Sequence, residues 1–346
     1  QGDASMLNFI KTTMNPAGFH GPRGNHPPRL PFFEGWYFKL VDAQEAARLA
    51  VIPGVYHARD PKEDHAFIQV LDGTSGQSSY HSYPIEEFWA ANTGFDIRIG
   101  SNHFNSSGMT LDISEPDRTL QGEIRFRDPA PISWPVTPLS PGIMGWYAWV
   151  PFMECYHGVV SFNHGLDGAL RVGSQHCDFT GGRGYIEKDW GRSFPSAWIW
   201  TQTNHFKQTG TCLTASIAII PWLGNAFPGF IIGLWHNDRL FRFSTYTGAH
   251  TRVLEIGADR VRWEVDNRSH TLEMIAYRAQ GGLLKAPTPS GMDRRIAETL
   301  DARVAVRLSQ RSVRGSHILF EDEGRNAGLE AAGDLDRLRK MLFHGK

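Results

Sequence analysis

Short runs in which apolar and polar residues alternate make up most of the chain. Examples are Gly35–Leu40, His65–Leu71 and Cys212–Ile220, which are rich in β-branched and aromatic residues. The stretches between such runs are rich in Gly, Pro, Asn and Asp. A period of two is the pattern of a strand with one buried face, and the runs recur about every ten residues. The pattern therefore predicts an all-β, mainly antiparallel fold of the sandwich or barrel type.

Helical spacing is predicted at two places late in the chain. In residues 334–344, apolar side chains stand three or four positions apart with charged residues between them, and Asp334 is the expected N-cap. A shorter stretch, 293–299, is predicted to form a turn or two of helix. The first of these stretches predicts a C-terminal helix that packs on the β-fold.

The chain is expected to divide into two parts, because 346 residues is long for one domain. Residues 128–146 contain five prolines and are the best candidate for a linker. We predict a first half at 32–135 and a second half, which includes the helix, at 136–346. Residues 1–31 are interpreted as a tag remnant followed by an irregular segment, with the natural chain expected to begin at Met6.

Charge and hydropathy exclude two classes of partner. The 35 basic and 36 acidic side chains leave a formal net charge of −1, which offers no basic surface for nucleic acid. The apolar windows are shorter than the roughly 18–20 residues of a membrane-spanning helix, so no integral membrane segment is expected. The 3 cysteines are widely spaced and argue against a disulfide framework, which indicates a reducing, cytoplasmic location.

Signals for a metal or a cofactor are missing from the sequence. The glycine-rich stretch Gly181–Gly184 has neither the spacing of a dinucleotide-binding loop nor the Lys-Ser/Thr of a phosphate loop. The 15 histidines form no His-x-His or His-x-x-x-His pair. We predict no metal and no cofactor.

The first of four segments with candidate chemistry is Phe32–Lys39. Strand parity places Glu34 and Trp36 on one face and Tyr37 on the other. Glu34 is either paired with an Arg or a Lys inside a core strand or lies at the rim of a pocket.

The second segment is Tyr185–Trp190, in which Glu187 and Asp189 share a face about 6.5–7 Å apart. Carboxylates at this distance can differ in pKa, so that one acts as an acid. Alternatively, Lys188 and Arg192 neutralise them at the end of a strand.

The third segment places four large or polar side chains on one face of a strand: Trp198, Trp200, Gln202 and Asn204. The indoles suit a hydrophobic or cationic group, and the amides suit a phenol or a carbonyl. Aromatic filling of a barrel interior is the alternative.

The fourth segment follows the predicted linker and contains Glu154, Tyr156 and His157. All three side chains are capable of proton transfer. A hydrogen-bonded structural network is the alternative interpretation.

Taken together, the motifs of this chain resemble the tocopherol cyclase family. They are Phe33–Phe38 (FEGWYF), Glu187–Gly191 (EKDWG), Phe194-Pro195 followed by Trp198-x-Trp200-x-Gln202-x-Asn204, and Leu284–Thr288 (LKAPT). Their order and spacing agree with the family from residue 32 to residue 310.

The resemblance implies two lipocalin-like β-barrel halves and a hydrophobic small-molecule substrate. Tocopherol cyclases protonate a prenyl double bond and trap the cation with a neighbouring phenol oxygen, and they consume no redox cofactor. For such chemistry the candidate catalytic residues are Glu34, Glu154, Glu187 and Asp189, with His157 as a partner. The candidate substrate-binding residues are Trp36, Tyr37, Tyr156, Trp190, Trp198, Trp200, Gln202 and Asn204.

Three functions are compatible with these residues. The first is a cofactor-independent cyclase or isomerase of a hydrophobic phenolic or isoprenoid molecule. The second is a hydratase or a pericyclase on the same scaffold. The third is a non-catalytic, lipocalin-like carrier, which would be favoured if all four acids formed surface ion pairs and the cavity were apolar.

Overall fold

The computed structural model describes residues 9–21, 30–115, 118–127, 133–312 and 315–343, and most of them lie in antiparallel strands. The strands are β1 (Phe32–Val41), β2 (Arg48–His57), β3 (His65–Asp72), β4 (Ser78–Pro84), β5 (Phe88–Ala90), β6 (Asp96–Ile99), β7 (Asn102–Asn105), β8 (Gly108–Glu115), β9 (Arg118–Arg127), β10 (Val136–Thr137), β11 (Ser140–Pro141), β12 (Cys155–Val172), β13 (Gln175–Asp178), β14 (Arg183–Gly191), β15 (Ala197–Thr203), β16 (Cys212–Trp222), β17 (Asn225–His236), β18 (Arg239–Ser244), β19 (His250–Ile256), β20 (Arg260–Asp266), β21 (His270–Tyr277), β22 (Gly282–Ala286), β23 (Arg294–Ser312) and β24 (Gly315–Gly333). The helices are α1 (Leu335–Phe343), a helical turn at 9–13, and the 3-10 helices Pro61–Glu63, Ile85–Glu87, Gly145–Trp149 and Thr245–Thr247. None of the helices in the described ranges combines the length and the hydrophobicity needed to span a bilayer.

The first of two compact units consists of Gln1–Thr74, Ser78–Phe194 and Leu284–Arg295. Its sheet has the strand order β4-β3-β2-β1-β14-β12-β9-β8-β7-β6-β5. Alternate residues of β1, Trp36, Phe38 and Leu40, enter one hydrophobic core together with Ile186 of β14. Because side chains alternate along a strand, the intervening residues of β1 and β14 lie on the opposite face of this sheet.

The second compact unit consists of Ser75–Gln77, Pro195–Leu283 and Ile296–Lys346. Its sheet follows the order β18-β17-β16-β15-β24-β23-β21-β20-β19. The core of this unit includes Ile199 of β15, Ile217 of β16 and Leu329 of β24. Leu338 of α1 packs on the same core, so the helix is held by its apolar face.

The predicted antiparallel all-β class and the C-terminal helix are confirmed. Asp334 caps α1, since its Oδ1 accepts the Arg337 N–H at 3.0 Å. Residue 344, the last of the predicted helix, lies outside the described residues. The helical turns predicted at 293–299 are wrong, because residues 294–299 begin β23 and Glu298 pairs with Glu330 of β24. Strand pairing supplies the backbone hydrogen bonds that an isolated turn of helix would lack.

The two units of the structure are divided at other positions than 135/136. The predicted boundary separates β9 from β12, although Gly165–Val172 pairs with Leu120–Arg127. The chain instead leaves the first unit after Phe194 and returns to it at Leu284–Arg295. Of the predicted linker, residues 128–132 lie outside the described residues, while β10 and β11 form a hairpin. Of the predicted N-terminal segment, residues 1–8 and 22–29 also lie outside them.

Candidate functional site

The pairing of β12 with β14 places a histidine between two carboxylates. His157 is directly opposite Asp189, and its Nδ1 is 2.8 Å from Asp189 Oδ1. Its Nε2 is 3.6 Å from Oε2 of Glu187, which shares a face of β14 with Asp189. The Tyr185 hydroxyl donates a hydrogen bond of 2.5 Å to the same Glu187 oxygen. These four residues form one connected row, which we call the His157 cluster.

The His157 cluster is largely shielded from water. The side chains of His157 and Glu187 are 13% and 6% exposed, and that of Asp189 is 26% exposed. Burial alone would lower the pKa of His157, but the charges of Asp189 and Glu187 outweigh burial and raise this pKa to about 9. The imidazole is therefore protonated at neutral pH, and it has a carboxylate near each nitrogen. This is an arrangement that can accept and return protons.

Glu154 lies at the same end of the β12–β14 pair as His157. Its backbone oxygen accepts the Arg192 N–H at 2.8 Å, just beyond the end of β14. Its carboxylate accepts a hydrogen bond of 2.8 Å from the Ser193 hydroxyl. Burial raises the pKa of Glu154, opposed by the Ser193 hydrogen bond and by Arg294 and Arg192. Glu154 is thus a carboxyl group that holds its proton more firmly than an exposed one.

Tyr156 and Trp190 form the cross-strand pair next to His157 and Asp189 and point to the other face of the sheet. Their rings stack at 5.5 Å with an interplanar angle of 9°. The Tyr156 hydroxyl donates to the backbone oxygen of Val150. The structure therefore brings these two rings together but not onto the face of the His157 cluster.

Glu34 is held in a buried ion pair on the core side of β1. Its Oε1 is 2.6 Å from Lys188 Nζ, and both side chains are 0% exposed. Burial would raise the pKa of Glu34, but Lys188 and His20 outweigh burial and lower it. The interpretation of Glu34 as a paired acid in a core strand is confirmed, because Lys188 is its partner. Glu34 faces away from the His157 cluster.

The other two aromatic candidates of β1 lie on opposite faces. Trp36 is buried in the core of the first unit, and its Nε1 donates to the backbone oxygen of Ala17 at 2.9 Å. Tyr37 is on the face of the sheet opposite this core and is paired with Glu187 in the strand register. Tyr37 therefore shares a face with the His157 cluster, whereas Trp36 does not.

The third segment lies in the second unit, on β15. The core of that unit contains Ala197 and Ile199, so the residues between them point away from this core. All four candidate side chains are buried: Trp198, Trp200, Gln202 and Asn204. Trp198 Nε1 donates a hydrogen bond of 2.6 Å to Glu330 Oε2. Trp198, Trp200 and Gln202 therefore share the face of β15 opposite this core, and Asn204 follows directly after the strand.

Several buried polar residues escaped the sequence-based selection. Lys39 and Tyr185 are opposite each other across β1 and β14, and both are buried. Glu298 and Glu330 are opposite each other across β23 and β24, and both are buried as well. Lys39 is two residues after Tyr37 and therefore on the same face of the strand, which could have identified Lys39 as a candidate. The prediction of helix at 293–299 concealed the second, since a helix gives Glu298 no strand partner.

The His157 cluster also offers ligand atoms to a metal ion. Those of His157, Glu187 and Asp189 all lie within 4.8 Å of one another. The distance of 2.8 Å between His157 Nδ1 and Asp189 Oδ1 is that of a direct hydrogen bond. Two ligands of one metal ion lie at a similar separation, and the absence of a metal stays a prediction. The nearby Cys155 is a poor nucleophile, because burial raises the pKa of its thiol well above the ordinary value.

Comparison with known proteins agrees with the motifs. Residues 117–333 match the protein family described as tocopherol cyclase-like. The chain is 28% identical over 200 residues to the chloroplastic tocopherol cyclase of Zea mays; the match covers 55% of this chain and 41% of the maize protein. The crystal structure of a Nitrosomonas europaea protein assigned as AttH superposes with a TM-score of 0.53 at 13% identity. That superposition covers 91% of this chain and 98% of the other, and it confirms the predicted fold.

Proposed function

The chain belongs to the tocopherol cyclase-like family, and we propose that it cyclises or isomerises a hydrophobic phenolic or isoprenoid molecule by proton transfer, without a cofactor. The observation that carries this proposal is the His157 cluster. There a protonated imidazole lies beside two carboxylates in a site largely closed to water. Groups of titratable side chains with perturbed pKa values are typical of sites that transfer protons.

The reaction needs an acid and a base of different strength. Glu154, whose pKa is raised by burial, is the better proton donor to a double bond. An imidazolium with a pKa of about 9 is too weak an acid for this step. Transfer of the Glu154 proton forms a C–H bond at one alkene carbon and leaves a tertiary cation at the other.

Ring closure then restores the enzyme. The phenol oxygen bonds to the cationic carbon, and its proton passes to a carboxylate of the His157 cluster. That proton returns to Glu154, so substrate and product have the same composition. Two carboxylates and one imidazolium leave one net negative charge, which stabilises the cationic intermediate.

A non-catalytic carrier is a weaker alternative because the acids are not engaged in surface ion pairs. Glu34 is fully buried, and the Glu187 side chain is 6% exposed. Glu154 is half-buried, and it accepts a hydrogen bond from Ser193. A carrier of a hydrophobic ligand has no need for an imidazolium held between two acids.

Turnover of a prenylated hydroquinone in D₂O tests the proposal. The expected product is a chromanol isomeric with the substrate that carries one carbon-bound deuterium, detected by liquid chromatography and mass spectrometry. Asp189→Asn and Glu154→Gln should each reduce turnover about 100-fold or more, while the circular dichroism spectrum stays unchanged. A product heavier by one water would instead establish hydration.

The exposed pair of Asp96 and His103 provides a matched control. The Asp96 and His103 side chains are also joined at 2.8 Å, but they are 36% and 33% exposed. Asp96→Asn should retain full turnover. Hydroquinone binding without turnover would favour the carrier, and full turnover in both Asp189→Asn and Glu154→Gln would refute the assigned roles. A stoichiometric metal ion in the purified protein would contradict the metal-free mechanism.

A further inference from the structure

Residues 15–21 form hydrogen bonds to the buried ion pair of Glu34 and Lys188 in the first unit. A buried ion pair is stable only when additional hydrogen bonds satisfy its remaining donors and acceptors. Here those bonds come from the N-terminal segment. Lys188 Nζ donates to the backbone oxygen of Gly18 and to His20 Nδ1. The backbone N–H of His20 donates to both carboxylate oxygens of Glu34, at N···O distances of 2.9 Å and 3.0 Å.

A stack of rings continues from this ion pair to β12. Lys188 Nζ lies 4.5 Å from the ring centre of Trp190, a cation–π contact. The His20 ring stacks on Trp190 at 4.1 Å with an interplanar angle of 17°. Tyr156 stacks on the same indole. Pro16 and Trp190 both pack against Gly158 of β12. A Cβ added at Gly158 would lie 3.4 Å from Pro16 Cβ and 3.4 Å from Trp190 Cζ3.

The ring stack and the His157 cluster are built on neighbouring rungs of the same ladder. Tyr156 pairs with Trp190, and the next rung pairs His157 with Asp189. The two rungs point to opposite faces of the sheet, so the stack can fix the spacing of β12 and β14 without touching the site. A proton-transfer site loses efficiency when its hydrogen-bonded groups are displaced by about 1 Å.

We infer that the Glu34–Lys188 ion pair and the His20–Trp190–Tyr156 ring stack are positioning elements that hold His157 against Asp189. Residues 15–21 therefore help to hold the His157 cluster in its geometry. The consequence for catalysis rests on the proposed function, whereas the positioning itself does not. His20 is a positioning residue and not a catalytic one, because it acts through Trp190 and Tyr156.

Substitutions of His20 test the inference while leaving the Glu34–Lys188 pair in place. His20→Ala removes the ring and should lower the pKa of His157 from about 9 toward its ordinary value, as measured by NMR titration of the imidazole. Its kcat should fall about tenfold with little change in KM. His20→Phe restores a ring on Trp190 and should recover most of both quantities. Arg127→Gln, which breaks an exposed ion pair with Asp167 in the same sheet, should change neither.

Lys188→Met is the second variant, and it removes the charge that anchors the segment. It should lower the pKa of His157 at least as far as His20→Ala does. Should Lys188→Met not fold, the two His20 variants decide the question alone. An unchanged pKa of His157 in His20→Ala, or no recovery in His20→Phe, overturns the inference. The titration gives its answer even if the hydroquinone is not a substrate, so failure of positioning and failure of the proposed function are distinguishable.

Discussion

Three histidines of the first unit with little exposure to solvent differ in pKa because their neighbours differ. His157 has two carboxylates beside it, and its pKa is raised to about 9 despite burial. The pKa of His164 is lowered to about 3 by burial, with no compensating charge. The pKa of His20 is lowered to about 4, first by burial and then by the positive charge of Lys188. One residue type thus serves as a cation at one position and as a neutral ring at the others.

These histidines predict opposite pH dependences of stability. His157 has a folded pKa above its unfolded value of about 6.5. Its contribution is therefore present below pH 6.5 and is lost as the pH rises through about 9. The difference corresponds to about 3 kcal/mol in the free energy of unfolding. Urea unfolding of wild type should show this decline between pH 6.5 and 9, and His157→Gln should not.

His103→Gln is the control for this titration and should keep the alkaline decline of the wild type. Below pH 6.5 the free energy of unfolding is expected to fall as the pH decreases. His20 and His164 have folded pKa values below the unfolded one, so their contributions are lost as the pH falls from about 6.5 through about 4 for His20 and about 3 for His164. A wild-type protein of constant stability from pH 6.5 to 9 would contradict the protonated state assigned to His157.

At the scale of elements, β14 has a different role on each of its two faces. The face turned away from the core of the first unit carries Glu187 and Asp189 of the His157 cluster. The other face carries Lys188 and Trp190, which hold the N-terminal segment. The strand alternation that separates these two groups was predictable from the sequence. The partners were not, because His157 is 32 residues from Asp189 and His20 is 168 residues from Lys188.

The end of β14 predicts a specific sensitivity at Gly191. This residue has a φ of +148°, and a Cβ there would lie 2.4 Å from the backbone oxygen of Glu154. Gly191→Ala should therefore push the start of β12 away and lower the free energy of unfolding by more than about 2 kcal/mol. Gly173→Ala is the control, since Gly173 has a φ of +61° and no atom within 4 Å of the added Cβ.

Urea unfolding of both glycine variants measures this difference. Gly173→Ala carries only the cost of a left-handed backbone, about 1–2 kcal/mol. Equal losses in the two variants would mean that the backbone of Glu154 gives way easily. In that case the close approach of Gly191 to the backbone oxygen of Glu154 would not fix the position of Glu154 beside β14.

At the scale of the whole molecule, each unit is assembled from stretches that are distant in sequence. Leu284–Arg295 belongs to the first unit although the residues on either side of it belong to the second. Composition shifts and proline content cannot reveal such a return of the chain, because contacts and not sequence order define a compact unit. This is why the proline-rich stretch was a misleading guide to the boundary.

Separate cores predict separate unfolding transitions. Phe38 is fully buried in the core of the first unit, and Phe243 is fully buried in that of the second. Replacing either by Ala should cost about 3–5 kcal/mol in its own unit. Calorimetry should then show Phe38→Ala and Phe243→Ala lowering different transitions. A single transition lowered equally by both would mean that the two cores unfold as one cooperative unit.

The sequence by itself determined the class of fold, the C-terminal helix and the faces of the strands. These are local properties, since the periods of strand and helix and the cap at Asp334 depend on residues a few positions apart. The family motifs also marked β14 and β15 as unusual strands. Local alternation alone thus placed Glu187 and Asp189 on a common face of β14. It likewise placed Trp198 and Trp200 on a common face of β15.

Only the tertiary structure decided which side chains meet. It brought His157 to Asp189, gave Glu34 the charge of Lys188, and joined Trp198 to Glu330 across 132 residues of chain. Antiparallel pairing of long strands makes such contacts, and their register follows from burying one apolar face of each sheet. Charge and pKa then follow from the partners found in this way, because burial and neighbouring charges exist only once the chain has folded.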